Sequence, residues 1–308
     1  MVALEGWTMG TRWSVRLVAP PSGLAQDLAG GIQAVLDKVV GQMSQWEPHS
    51  DLSRFNRSRG WQMLPPEFVT VLAAALEVAR LSGGAFDPAI GALVDLWGFG
   101  PAGGNGTPPD ADAIAEARET GGWSRIALDP LLLRARRIGS AQLDFSGIAK
   151  GFGVDQVAEW LIGRGLMHCL VEVGGEVRGS GLKPDGQPWW IDLETPPGLS
   201  LPLTRVALHQ LSAATSGDYR RTFDHDGTYY AHSLDPRTGA PVSAGVASVT
   251  VLHPRCMMAD AWATALTVLG PEAGMALAAA QDLAMLMVVR GDGEAQEHLS
   301  PALRAMMD

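Results

Sequence analysis

Lysine is nearly missing from this sequence. It occurs only at Lys38, Lys150 and Lys183, and arginine carries the rest of the positive charge. Acidic residues are in excess, the formal net charge is −10, and no basic run exists to neutralise a phosphate backbone. A general nucleic-acid binder is therefore excluded. Cysteine is equally sparse: Cys169 and Cys256 form neither a CxxC pair nor a disulfide framework, and each reads as a small buried hydrophobe. No HExxH or His/Cys cluster offers a zinc site. No apolar stretch reaches the roughly 18 residues of a membrane-spanning helix, so no membrane span is expected. Met1-Val2-Ala3-Leu4-Glu5 lacks a charged region followed by an apolar one. As read, this predicts a cytoplasmic chain, or a periplasmic one if a leader was removed. No GxGxxG joins a strand to a helix with an acid about 20 residues on, which removes the Rossmann pattern.

What is present is the material of a globular core: 46% hydrophobic residues over 308 positions. Trp13–Val18 alternates as a strand does. From Leu24 to Met43, Ile32, Val35, Leu36, Val39, Val40 and Met43 recur at helical spacing. Pro65-Pro66 opens a second helix, Glu67–Ser82, closed by Gly83-Gly84. Residues 101–109 are the most linker-like stretch and mark a possible subdomain boundary within one domain spanning 1–308. Asp110 then caps a helix over Ala111–Thr120. Beyond residue 163 strands dominate, at Cys169–Val173, Glu176–Gly179, Trp189–Glu194, Leu203–Leu208 and Ala247–Leu252. A helix over Met257–Leu269 follows, stopped by Gly270-Pro271, then a helix-to-strand segment at Gln281–Arg290 and a fraying C-terminus. Helices and strands do not alternate strictly, which favours an α+β fold with largely antiparallel sheet.

Candidate chemistry lies in a few stretches. Leu143–Asp155 reads as a short strand, a break at Ser146-Gly147, and a helix from Val154 to Leu161. Such a Gly-rich turn presents backbone N–H groups to an anion. This one also carries Asp144 and Lys150, which could equally be a surface ion pair. Asp260 and Thr264 lie one helical turn apart, an oxygen-rich patch suited to a hard cation such as Mg²⁺. The same residues would serve as a helix cap, with Thr264 bonding back to the carbonyl at 260. His232 ends a strand before the turn Asp235-Pro236-Arg237-Thr238-Gly239, either as a general base or packed on Tyr229 or Tyr230. Ser216 lacks the GxSxG context of a nucleophile elbow.

In order along the chain, these blocks resemble the ApbE family of FAD:protein FMN transferases. The resemblance runs through Met9-Gly10-Thr11, Met43-Ser44 with Ser50–Asn56, Gly84–Pro88 and Leu93–Gly100. It continues through Leu143–Asp155, Val173–Glu176, Thr215–Tyr219, His232–Gly239 and Ala259–Thr264. It implies a T-fold-like α+β architecture, with antiparallel sheets flanked by helices and flavin held between subdomains. It implies a Mg²⁺-dependent reaction in which FAD is the substrate. FMN is attached through a phosphoester to a Thr or Ser of an acceptor flavoprotein, and AMP is released. By position, the Gly147 carbonyl, Asp260 and Thr264 would hold Mg²⁺. Met9, Trp46, Ala85, Phe86, Asp87, Asp144, Lys150 and Leu234 would line the FAD site. His232 would be the base for the acceptor hydroxyl, with Asp260 the other catalytic residue. Trp46 stands where relatives often carry Tyr, which keeps stacking but not a phenol hydrogen bond. That leaves open an FAD pyrophosphatase giving free FMN and AMP. A flavin-binding module without transfer is a further reading, disfavoured by Asp260 and Thr264. Many relatives are exported lipoproteins with a signal peptide and lipobox Cys, neither of which stands in this sequence.

Overall fold

Eight strands make the central sheet, and every pairing in it is antiparallel. In spatial order they are Val2–Thr8, Thr11–Leu17, Cys169–Val173, Glu176–Ser180, Leu211–Gly217, Val246–His253, Ala284–Arg290 and Ala295–Leu299. The structure, a computed structural model, describes residues 1–20, 27–104, 106–219, 222–242, 245–291 and 294–307. The fold is α+β. The second and third strands of the sheet are neighbours in space yet are separated by a long insertion. That insertion supplies the helices Leu28–Met43, Pro66–Leu81 and Ala149–Ile162.

The two helices that matter most for the site are Ala149–Ile162 and Cys256–Ala280. They touch backbone to backbone. A Cβ on Gly151 would lie 2.4 Å from the Cys256 carbonyl oxygen, so only glycine admits this approach. The Cys256–Ala280 helix has no side-chain cap of its own at Arg255. Asp155, from the neighbouring helix, supplies it by accepting the Cys256 and Met257 N–H groups, each at 3.0 Å. Arg178 donates to the same carboxylate at 2.6 Å, so the buried acid is paired as well as hydrogen-bonded.

Several boundaries differ from the sequence expectation. The first helix is described from Leu28, with Asp27 accepting the Gly30 N–H; Leu24 lies outside the described residues. The second spans Pro66–Leu81, with proline inside its first turn. Leu143–Phe145 is no strand. Asn56 holds Leu143 as a neighbouring strand would, accepting its N–H at 2.7 Å and donating to its carbonyl at 2.8 Å. The next helix begins at Ala149 rather than Val154, so Lys150 stands in its first turn instead of in a loop. Gly270, at φ 75° and ψ −175°, is not helical, so the first arm of the Cys256–Ala280 helix stops at Gly270-Pro271 as expected and a second arm continues beyond the kink. By length and mean hydropathy this helix would suffice to cross a bilayer, the one such helix among the described residues. That length is counted across the kink and takes in Asp260, Pro271 and Glu272, whereas the expectation concerned an unbroken apolar run; the helix packs on the strands Leu211–Gly217 and Val246–His253. Nor does the C-terminus fray. Ala295–Leu299 joins the sheet, and Ser300 caps a helix over Pro301–Ala305 while bonding Met285 and Leu283. The described part of 101–109 has neither helix nor strand, and Gly98 and Gly104 meet so closely that a Cβ on Gly98 would lie 2.5 Å from the Gly104 Cα.

Candidate active site

The arm of the site that precedes the Ala149–Ile162 helix is set by a local turn. Asp144 accepts the Ser146 N–H at 2.7 Å, and its own N–H donates to the Pro88 carbonyl at 2.8 Å. This turns the chain at Ser146-Gly147 and ties it to the Gly84–Pro88 segment. Gly147 then comes against the other helix. A Cβ there would lie 3.0 Å from Thr264 Oγ1 and 3.2 Å from the Phe86 ring, so the backbone at 147, the Thr264 hydroxyl and Phe86 share one contact. Thr264 does not bond back along its own helix as a simple packing threonine would. Its hydroxyl pairs with Ser216 Oγ at 3.3 Å.

One turn earlier on that helix stands Asp260, buried at 3% exposure. It is not a helix cap, because the helix starts at Cys256. Its Oδ2 accepts the Gly151 N–H at 3.0 Å, and its Oδ1 lies 3.9 Å from Lys150 Nζ. Lys150 in turn donates to Glu176 Oε1. Burial raises the pKa of Asp260, against the pull of Lys150 and the Gly151 N–H. Burial also pushes Glu176 up, to about 7, opposed by Lys150 and assisted by the Asp260 charge. The two buried acids therefore share the one ammonium of Lys150.

The oxygen set fits Mg²⁺ better than a softer metal. No group of three or more His, Cys, Asp or Glu suited to a metal occurs among the described residues. A cation here would rest on one carboxylate, one hydroxyl and a backbone oxygen, and take its other positions from water and substrate phosphate. That is the habit of Mg²⁺. Gly147 is the cradle in this set, since any side chain would press on Thr264.

The other expected residues surround this centre in parts. Met9 holds a positive φ of 49° in the turn between the first strands, and a Cβ on Gly153 would lie 3.2 Å from its methyl. Ala85 and Phe86 are buried. Asp87 accepts N–H groups from Ala89 at 2.7 Å and Trp123 at 3.0 Å, and burial lifts its pKa to about 6. Trp46 is half-exposed in the loop whose Gln45 donates to Ser146 Oγ at 3.4 Å. His232 and Leu234 form a second group, built on an aromatic cluster. The His232 ring meets Phe99 edge-on at 6.4 Å, and Leu234 is buried with Leu93, Trp97 and Phe99. Trp97 Nε1 donates to the Gly239 carbonyl at 2.7 Å, which ties this group to the Gly84–Gly100 segment.

Comparison with known proteins decides the family. The ApbE family model matches residues 9–287. A relative from Vibrio cholerae named FAD:protein FMN transferase is 37% identical over 311 residues, covering 99% of this chain and 92% of its own. The chain belongs to the ApbE family. A Haemophilus influenzae relative of the same name is 36% identical over 304 residues, covering 95% of this chain and 87% of its own. Among solved structures, the flavin transferase ApbE from Vibrio cholerae matches with TM-score 0.90 at 37% identity, over 99% of this chain and 98% of that one. The apo flavinyl transferase ApbE from Pseudomonas stutzeri matches with TM-score 0.91 at 36% identity, over 99% and 96%.

Within this ApbE chain, sequence reasoning missed two side chains that touch the expected site residues. Ser216, which lacks the context of a nucleophile elbow, pairs with Thr264. Glu176 starts a strand as expected and also holds Lys150. Its signal was an acid directly after Gly174-Gly175, where an apolar strand would otherwise continue.

Proposed function

We propose that this chain is a Mg²⁺-dependent flavin transferase that moves FMN from FAD to a Thr or Ser hydroxyl of an acceptor flavoprotein, releasing AMP. The observation that carries the reading is the meeting of Asp260, Thr264, the Gly147 backbone and Lys150 at the contact of two helices. Membership of the ApbE family, with relatives named FAD:protein FMN transferase, supports the transfer of FMN from FAD to a protein.

The chemistry asks little covalent work of the protein. Splitting a pyrophosphate is mostly positioning and charge neutralisation. The acceptor oxygen attacks the FMN phosphorus, the bond from that phosphorus to the bridging oxygen breaks, and AMP leaves with the electron pair. Mg²⁺, held by Asp260, Thr264 and the Gly147 carbonyl, would neutralise charge on the phosphate oxygens. Lys150 adds an ammonium beside Asp260. His232 takes the proton of the acceptor hydroxyl, which is a weak nucleophile unaided. Its ring stands edge-on to Phe99. Met9, Trp46, Ala85, Phe86, Asp87, Asp144 and Leu234 form the walls around FAD. The buried apolar members exclude water, which otherwise competes with the acceptor as nucleophile.

The test is mass spectrometry of an acceptor domain incubated with the chain, FAD and Mg²⁺. The acceptor should gain the mass of FMN less water and become fluorescent. Asp260→Asn, which retains an acceptor for the Gly151 N–H but not the charge, should lower the rate at least about 100-fold. Free FMN and AMP without any labelled acceptor would replace transfer by hydrolysis. FAD binding with neither product would reduce the chain to a flavin-binding module.

A further inference from the structure

Glu176 has no part in the transfer described above, yet it is placed as if it had one. The Gly174-Gly175 turn, with φ of 62° and 105°, brings the chain round so that the next side chain points inward, at 3% exposure. Glu176 Oε1 receives a hydrogen bond from Lys150 Nζ at 2.5 Å, while Asp260 Oδ1 lies farther from the same nitrogen, at 3.9 Å. Glu176 Oε2 is buried and finds no hydrogen-bond partner among the described residues. A carboxylate so enclosed is unfavourable compared with an apolar side chain of its size, so packing does not account for it. The Lys38–Glu67 pair differs in its acid, since the Glu67 side chain is 30% exposed where that of Glu176 is 3% exposed.

The geometry has a consequence for Lys150. An ammonium on a flexible stem beside two buried acids closes on the nearer one. Here the nearer acid is Glu176, and the ammonium is not in direct hydrogen bond with Asp260. Without Glu176, Lys150 would be drawn onto Asp260 and occupy the carboxylate that the transfer needs for its cation. With Glu176 in place, the ammonium stays clear of Asp260 and can turn to an incoming phosphate oxygen.

We propose that Glu176 is the positioning residue of this site: it holds the Lys150 ammonium off Asp260 and toward the FAD pyrophosphate. This rests on the flavin-transfer reading, and acts through Lys150 alone.

A double-mutant cycle on FAD affinity tests it, read by flavin fluorescence with Mg²⁺ present and no acceptor. Glu176→Gln should weaken FAD binding about tenfold, and Lys150→Met by a similar factor. The double variant should bind no more weakly than Lys150→Met alone. Thermal melts of the same proteins record folding, and Glu176→Asp, which keeps the charge, should recover part of the affinity. If losses multiply in the double variant, Glu176 acts as a charge or strut of its own and the proposal fails. It fails equally if Glu176→Gln lowers the melting temperature while FAD affinity stays at the wild-type value. Should Glu176→Gln not fold, Glu176→Asp with Lys150→Met completes the cycle under the same criteria. A wild-type chain that binds FAD but labels no acceptor would sink the transfer reading while leaving this coupling measurable; one that binds no FAD sinks both.

Discussion

Asp87 is the residue at which a titration becomes a stability statement. Burial lifts its pKa from 3.8 to about 6, and the N–H groups of Ala89 and Trp123 offset only part of that. The folded chain therefore holds this proton more tightly than the unfolded chain does. The contribution is fully present below the unfolded pKa and is lost as pH rises through about 6. At neutral pH the loss is on the order of 3 kcal/mol. Glu176, also raised, to about 7, and Asp260, Asp95 and Asp218, raised as well, act in the same direction. The melting temperature should accordingly rise between pH 7 and pH 5, and Asp87→Asn should flatten that slope. An unchanged slope in the variant would remove Asp87 from the account. Ser216→Ala makes a second expectation at this scale. Loss of the partner to Thr264 should slow transfer about tenfold with a stability change within about 1 kcal/mol, and a normal rate would assign the pair to packing alone.

Between elements, the decisive object is the contact of the Ala149–Ile162 and Cys256–Ala280 helices. Gly151 and Gly147 both lie in it, and they differ in what surrounds them. A Cβ on Gly151 meets backbone atoms of Cys256 and Met257 at 2.4 to 2.7 Å, which cannot yield without parting the helices. That motion would also draw Asp155 from the N–H groups it caps and Gly151 from Asp260. Gly147 faces a hydroxyl and a ring edge, at 3.0 and 3.2 Å, which can give by a few tenths of an ångström. Gly151→Ala should therefore cost about 3 kcal/mol or more in urea melts, and Gly147→Ala about 1. The order should reverse for any residual function per folded molecule: Gly147→Ala folds but displaces Thr264. Equal stability losses would contradict the packing argument.

On the scale of the whole molecule, the proposed site draws on segments from Met9 to Thr264, and ligand binding should fasten them together. FAD with Mg²⁺ at about one hundred times its Kd should add about 2.7 kcal/mol of stability, a rise in melting temperature of roughly 5 °C. In Asp260→Asn the Mg²⁺-dependent part of the rise should vanish, as scanning fluorimetry would show. A shift of the same size in the variant would place the cation elsewhere.

Much of this architecture is legible in the sequence, and the exceptions share a cause. The Ala111–Thr120 helix with its Asp110 cap, the strand Cys169–Val173 and the α+β class follow from local periodicity and capping chemistry, which act over a few residues. So does the spacing that puts Asp260 and Thr264 on one helix face. The start of the helix at Ala149 was not legible, because Asn56 stands in for a strand partner and the turn at Asp144 is closed by Pro88. The sequence alone therefore determined which oxygens and which ammonium this ApbE chain carries, and in which order. Only the tertiary structure decided that Gly151 meets Asp260 across 109 residues, that Asp155 caps a helix not its own, and that Glu176 holds Lys150. Those contacts depend on burial and on two backbones coming within van der Waals reach, and no local pattern of residues encodes such a meeting.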